Sequence, residues 1–310
     1  MNSKLFKVTA VLLAVIFLIG IVPILLPVIF SSKNDAVYIR VALPDKQVKS
    51  MPLEDYLIGV VAAEMPAEFE MEALKAQAVA ARTYALKRIE KQAENSPYDV
   101  DTTEQTQAWN SRGDMLKKWG LVAYFKYKRK ISRAVKETEG QVLFYKGEKI
   151  DAVYHSSTGR KNTERASDVW SGDVEYLTNV PSGETDPLRF VAHKVFDIKT
   201  FYGLLGFSQI PDRFKETDLI ILDRTKAGRI KTLAVRDKVF EGTDIRKRLQ
   251  LASTDFEWKI QNNSIEIITY GKGHAVGMSQ YGANDLAKSG KNYQEILKHY
   301  YRGAAIEKLY

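Results

Sequence analysis

The sequence predicts an α+β ectodomain behind an N-terminal membrane anchor helix, and three observations carry that expectation. Residues 8–30 form a run of 23 residues without a charge. Between Leu57 and Ile89 apolar and small residues recur at helical spacing. From Gly140 onward the pattern changes to alternating strands punctuated by turn residues. The expected arrangement is an early helical core and a larger β-rich part wrapped against it, with a cleft between them.

The N-terminus is read first. A hydrocarbon core takes roughly 20 helical residues to cross, so Val8 to Phe30 is long enough. Lys4 and Lys7 precede it, which holds residues 1–7 in the cytoplasm and places 31–310 outside. A cleaved signal peptide is the competing reading, but its apolar region would be shorter. No Ala-x-Ala site follows Phe30 either, where Ser31, Ser32, Lys33 and Asn34 stand. Pro23 and Pro27 are tolerated in a membrane span. Residues 31–310 suffice for one large domain or two smaller ones. With no cysteine, disulfides and thiolate metal sites are excluded, which suits a Gram-positive surface. A net charge of +8 draws such a domain to anionic headgroups or wall polymers. Nucleic acid would lie on the wrong side, and no aromatic-interleaved basic motif supports it.

The elements follow in order. Val37 to Ala42 alternates as a strand. Pro52 to Met65 reads as a short helix with Glu54 and Asp55 in its first turn, where the dipole favours acids. Glu68 to Lys91 reads as a longer helix with six alanines between Ala73 and Ala85, small enough to let another backbone come close. Its Gln77 and Arg82 either point into a polar cleft or are ordinary solvated positions. Asn95 to Thr106 is turn-rich and ends in Gln107-Ala108-Trp109, and Lys126 to Lys130 belongs to a solvated helix. Gln141 to Tyr145 and Ile150 to Tyr154 read as a hairpin that delivers the polar loop His155-Ser156-Ser157-Thr158-Gly159. Residues 190–262 read as mixed helix and hairpin without evident chemistry, and Asn262-Asn263 separates two strands at 257–260 and 264–269. In Gly271 to Ala283 the glycines mark a tight backbone approach, and a helix begins near Gln280.

Glu64 is the residue of chemical interest. Leu57, Val61 and Glu64 share a helical face, so the carboxyl lies in line with an apolar stripe. Pro66 ends the helix and leaves Glu64 in its last turn, at the negative end of the dipole. Burial and that dipole both favour the protonated acid, which a general acid requires. A surface glutamate on a slightly rotated helix fits the same segment equally well.

Several enzyme classes are set aside. The chain has no G-x-S-x-G elbow, no Walker loop and no H-E-x-x-H. Its four histidines, His155, His193, His274 and His299, include no i, i+4 pair, so no metal site is expected. Carboxyl chemistry remains, and glycoside cleavage is its natural use. No second carboxylate stands out as a partner to Glu64.

Four segments carry a resemblance: Glu54–Leu86, Tyr154–Glu164, Val169–Val180 and Gly273–Asn284. Together, and in this order, they resemble the stage II sporulation protein D and amidase-enhancer family. The resemblance implies a membrane-anchored lytic transglycosylase at the septal or engulfing membrane during sporulation. Its substrate would be peptidoglycan glycan strands stripped of stem peptides, cut between MurNAc and GlcNAc to leave 1,6-anhydro ends. The family's catalytic glutamate falls on Glu64, acting as acid and then as base. The attacking group is the sugar's own C6 hydroxyl, so no second carboxylate is needed. The other motifs are then expected to line the cleft. Tyr176 would stack on or hydrogen-bond a sugar, His155, Thr158 and Thr163 would contribute from the loop, and His274 and Gln280 from the C-terminal turn. The implied partners are stage II sporulation protein P, an amidase and endopeptidase, and stage II sporulation protein M, a membrane scaffold. Some relatives carry a Cys/His metal constellation, which a chain without cysteine cannot build, and no cofactor is expected. A non-catalytic glycan-binding module that recruits the amidase, and a true hydrolase, are the competing readings.

Overall fold

The computed structural model describes residues 36–91, 96–103, 106–170, 172–261 and 263–310. The expected anchor, 8–30, lies outside them, and among the described residues no helix is long and apolar enough to cross a membrane. The architecture is α+β. Helix α1, Leu53–Glu64, and helix α2, Met71–Lys91, form where the apolar spacing requires. Ala73, Ala76, Ala80 and Ala81 are fully buried, and their short side chains let other elements close on α2 from several sides. One is α3, Arg112–Glu137, which starts at a Ser111–Asp114 capping box. It breaks at Gly120, whose φ of 72° no helix interior allows.

Arg82 and Gln77 do not reach a cleft. The Arg82 guanidinium donates to both carboxylate oxygens of Glu54 at 2.7 Å and to the Gln141 and Val135 carbonyls. Gln77 is fully buried. An arginine on a close-packed face must bring its own counter-charge, since an unpaired buried charge is prohibitive.

Strands β1, Tyr38–Ala42, and β2, Val48–Pro52, pair antiparallel, with β3, Val100–Asp101, parallel to β1. The expected hairpin after Gly140 is much reduced. Strand β4, Gln141–Tyr145, meets only the two-residue β5, Glu148–Lys149. Its longer partner is β14, Ala305–Lys308, at the far end of the chain. Ile150 N–H still donates to the Leu143 carbonyl of β4, and the chain leaves the sheet after it, with Val153 N–H turning back to the Asp151 carbonyl. Strand β6, Tyr154–His155, then pairs parallel with β13, Met278–Ser279, and the single helical turn α4 covers Ala166–Val169.

Between these partners the chain makes an excursion. Strand β7, Val191–Asp197, helix α5, Ile198–Leu204, strands β8, Leu219–Arg224, β9, Ile230–Val235, and β10, Lys238–Glu241, helix α6, Gly242–Arg248, and strands β11, Phe256–Gln261, and β12, Ser264–Tyr270, follow in order. They build two antiparallel sheets, β7-β12-β11 and β8-β9-β10. Phe201, Tyr202, Phe214, Leu233, Phe240 and Ile267 join these elements in a hydrophobic core of their own. Buried Arg229 fastens this inserted module to the preceding loop, meeting Glu164 at 3.0 Å and the Asn162 and Thr158 carbonyls at 2.8 and 2.9 Å. Asp255 does the same for Arg160 and Lys161. The chain then returns to the helical core through α7, Gln280–Lys288, and α8, Tyr293–Tyr300, both packed on α2.

Candidate active site

Glu64 is the last residue of α1. Met65 is already extended, and its N–H closes on the Val61 carbonyl. Pro66 prevents another turn, so the half-buried carboxyl emerges from the helix end instead of continuing the buried stripe of Leu57 and Val61. Two distant segments meet it there. The Ala108 backbone N–H donates to Oε1 at 3.0 Å, and Gln280 Nε2 donates to Oε2 at 3.1 Å.

Each donor is held by its neighbours. Gln107 is buried and accepts from the Tyr56 hydroxyl at 3.2 Å. Its amide donates to the Ala81 carbonyl and the Tyr154 hydroxyl. Asn110 binds α1 twice, at the Gly59 and Ala62 carbonyls. Pinned on both sides, the Ala108 N–H is aimed before any ligand arrives. Gln280 opens α7 behind the cap residue Ser279, and the β13–β6 register sets Ser279 beside His155. That register requires glycine. At Gly277, with φ of +71°, a Cβ would stand 2.1 Å from the Val153 carbonyl oxygen, and at Gly273 it would meet the His155 Cβ at 2.8 Å.

Around Glu64 opens a cleft of about 550 Å³, whose walls include Tyr84, Tyr154, His155, Ser156, Trp170, Arg246, Lys272, His274 and Gln280. Among its described lining residues Glu64 is the one carboxylate. A second groove of about 430 Å³ shares Glu64, Ser156, Lys272 and Gln280 and runs on past Glu68, Lys118, Trp119 and Tyr281. Glu64 therefore stands between two open stretches, as a group acting on the interior of a chain-like ligand must.

The two histidines are neutral at neutral pH. His155 donates Nδ1–H to the Val276 carbonyl, and burial, reinforced by His274, pushes its imidazole well below the ordinary range. Burial lowers His274 to about 4, with Arg246 adding to the effect. His274 accepts the Val276 N–H at Nδ1, and its ring lies 5.2 Å from that of Trp170, which is 42% exposed. Burial, with the Glu64 charge second, holds the Tyr154 hydroxyl protonated far above neutrality.

His155, His274 and Gln280 thus join Glu64, and Gln280 touches the carboxyl itself. The other three expected contacts stand elsewhere. Tyr176 is buried against Tyr145, with its hydroxyl accepting the Asp151 N–H at 2.8 Å. Thr163 is spent on the Thr178 and Val180 carbonyls and the Val180 N–H. Thr158 donates twice to Glu184, a carboxylate that also takes the Ser157 and Ser279 hydroxyls. The hydroxyl-rich loop therefore offers His155 and Ser156 to the cleft and turns its remainder inward to Glu184.

The 45–145 segment matches the family model described as stage II sporulation protein. The chain is 40% identical to stage II sporulation protein D of Bacillus amyloliquefaciens over 84% of this chain and 75% of that protein. It is 39% identical to the protein of the same name from Bacillus subtilis, strain 168, over 84% and 76%. The chain belongs to the stage II sporulation protein D family. A third relative, 29% identical over 81% of this chain and 40% of its own length, is the protein named amidase enhancer from Bacillus subtilis. Within the stretch matched by the sporulation-family model lie Glu64, Tyr84, Gln107 and Ala108, while Trp170, Arg246, His274 and Gln280 are contributed from beyond it.

Sequence reading passed over Arg246, Lys272, Tyr84, Gln107 and Ala108. Gln107 directly follows a polar turn, where a buried glutamine leaves no pattern, and Ala108 acts through its backbone. Arg246 lies in the last turn of a seven-residue helix in the inserted module, and no local spacing marks it for the cleft.

Proposed function

We propose that this chain is a lytic transglycosylase that cleaves denuded peptidoglycan strands between MurNAc and GlcNAc during engulfment. The observation that carries this reading is the position of Glu64, the one carboxyl among the described lining residues of the larger cleft, shared with the adjoining groove and aligned by two N–H donors. Glu64 gives its proton to the GlcNAc O4 as the bond to the muramyl C1 breaks. The same carboxylate then takes the proton of the muramyl C6 hydroxyl as that oxygen closes on C1. Intramolecular attack carries an effective molarity on the order of 10⁵ M or more when well oriented, so no second group has to hold a water. The exposed Trp170 face offers a sugar a stacking platform. Arg246 and Lys272 supply positive charge in a cleft whose substrate, once its stem peptide is gone, bears a lactyl carboxylate.

A second reading rests on the relative named amidase enhancer: a glycan-binding module that recruits a cell-wall amidase, with stage II sporulation proteins P and M as its partners at the membrane. A hydrolase would need a further carboxylate, and Glu68 lines the adjoining groove. One experiment separates the three. The full chain and its Glu64→Gln variant, both checked for folding, are incubated with denuded strands and the products are weighed by mass spectrometry. Anhydro-ended fragments from the unmodified chain alone are the expected result. Reducing ends would favour hydrolysis, and retained binding without cleavage would favour the recruiting module.

A further inference from the structure

Helix α3 carries a surface that the cleft does not use. Just past the Gly120 break, Leu121, Val122 and Phe125 are 66%, 88% and 62% exposed. Three large apolar side chains in water at one helix break are costly unless something covers them. Around them stand the exposed cations Lys117, Lys126, Lys128 and Arg129. Phe125 and Lys128 also line a surface cavity of about 790 Å³ with Lys49 and Arg112, where Asp55 is the only acid among the described lining residues.

We propose that this apolar tip inserts into an anionic lipid bilayer, with the surrounding lysines and arginines on the headgroups. Charge complementarity and protruding apolar side chains are both needed for that partner. An anionic wall polymer would satisfy the cations and leave Leu121, Val122 and Phe125 in water, so the lipid surface is the occupant that uses the whole patch. The consequence reaches the site. Lys118 and Trp119, just before the break, line the groove that runs past Glu64. Seating the tip in the bilayer therefore brings that end of the groove to the membrane surface. If the glycan reading holds, the enzyme works on the strands closest to the membrane, but the docking itself does not depend on that reading.

The chain has no cysteine, so Val122→Cys accepts one environment-sensitive label, and Val239→Cys in the inserted module, 63% exposed in the unmodified chain, gives a control. The full chain with each label is reconstituted into phosphatidylglycerol–phosphatidylcholine vesicles containing brominated acyl chains. The label at 122 is expected to lose at least half its emission to the bromines, with the control nearly unaffected. Adding Leu121→Ser and Phe125→Ser, with the melting temperature shown to be unchanged, should restore most of the emission at 122. Vesicles of phosphatidylcholine alone should quench it markedly less. A label at 122 quenched no more than the control overturns the proposal and leaves the patch to a protein partner. Equal quenching in both vesicle types overturns the part assigned to the cations.

Discussion

The helical core around α2 and the inserted β module are held together by opposite means. The core closes through alanines, which bring backbones near enough that segments far apart in sequence share one site. It tolerates the buried Arg82 guanidinium because the part-exposed Glu54 carboxylate and two backbone carbonyls bond all three of its nitrogens. The module is filled by rings, with Phe201, Tyr202 and Phe214 in mutual contact at centroid distances of 5.3 to 5.5 Å. That module sends one described side chain, Arg246, to the cleft. On the proposed function, the chemistry sits where backbones approach, and the module braces and charges it.

That division is broken most severely at its seam. Glu164→Ala strands the buried Arg229 guanidinium and should cost about 3–5 kcal/mol, read from urea unfolding. A loss below about 1 kcal/mol would mean that the seam is wet and the two regions are nearly independent.

The histidines give the next effect. Both titrate lower in the folded chain than in the unfolded one, so their contribution is complete above pH 6.5 and is lost as pH falls below it, for His274 as pH approaches about 4. At pH 5 His274 alone should remove about 2 kcal/mol, since a tenfold change in a protonation equilibrium is worth about 1.4 kcal/mol. Thermal unfolding of the full chain and of His274→Gln across pH 4.5 to 8 tests this. A slope unchanged in the variant would show that His274 titrates normally.

Smaller effects probe the core against the module. Under the proposed transglycosylase reading, Gln107→Leu keeps the volume but releases the segment that aims Ala108 N–H, and should lower the cleavage rate about tenfold, the worth of one or two hydrogen bonds. Its KM should scarcely move. Arg246→Gln should do the reverse, raising KM for denuded strands a few-fold with the rate retained, as expected for one partly solvated charge contact. If both variants changed the same parameter, the assignment of chemistry to the core and charge to the module would fall.

Much of this molecule was legible from local pattern. The end of α1 at Glu64 follows from Pro66, the buried face of α2 from its alanines, the start of α7 from the turn before Gln280, and β11 and β12 from alternation. Those features rest on interactions within a few residues. The four motifs named the family because they are dense and ordered along the chain. What stayed hidden was every pairing across long separations. Strand β4 takes β14 as its longer partner, the loop at Thr158 turns to Glu184, and Tyr176 is buried on Asp151 and Tyr145 instead of facing the cleft.

By itself, then, the sequence determined where α1 ends, where α7 begins and which carboxyl stands at a helix end, because steric and dipolar rules act locally. Only the tertiary structure decided which donors meet that carboxyl. Ala108 and Gln280 lie 44 and 216 residues from Glu64, and their meeting is set by how closely α1, α2 and α7 pack, a property of the assembled core that no single segment contains.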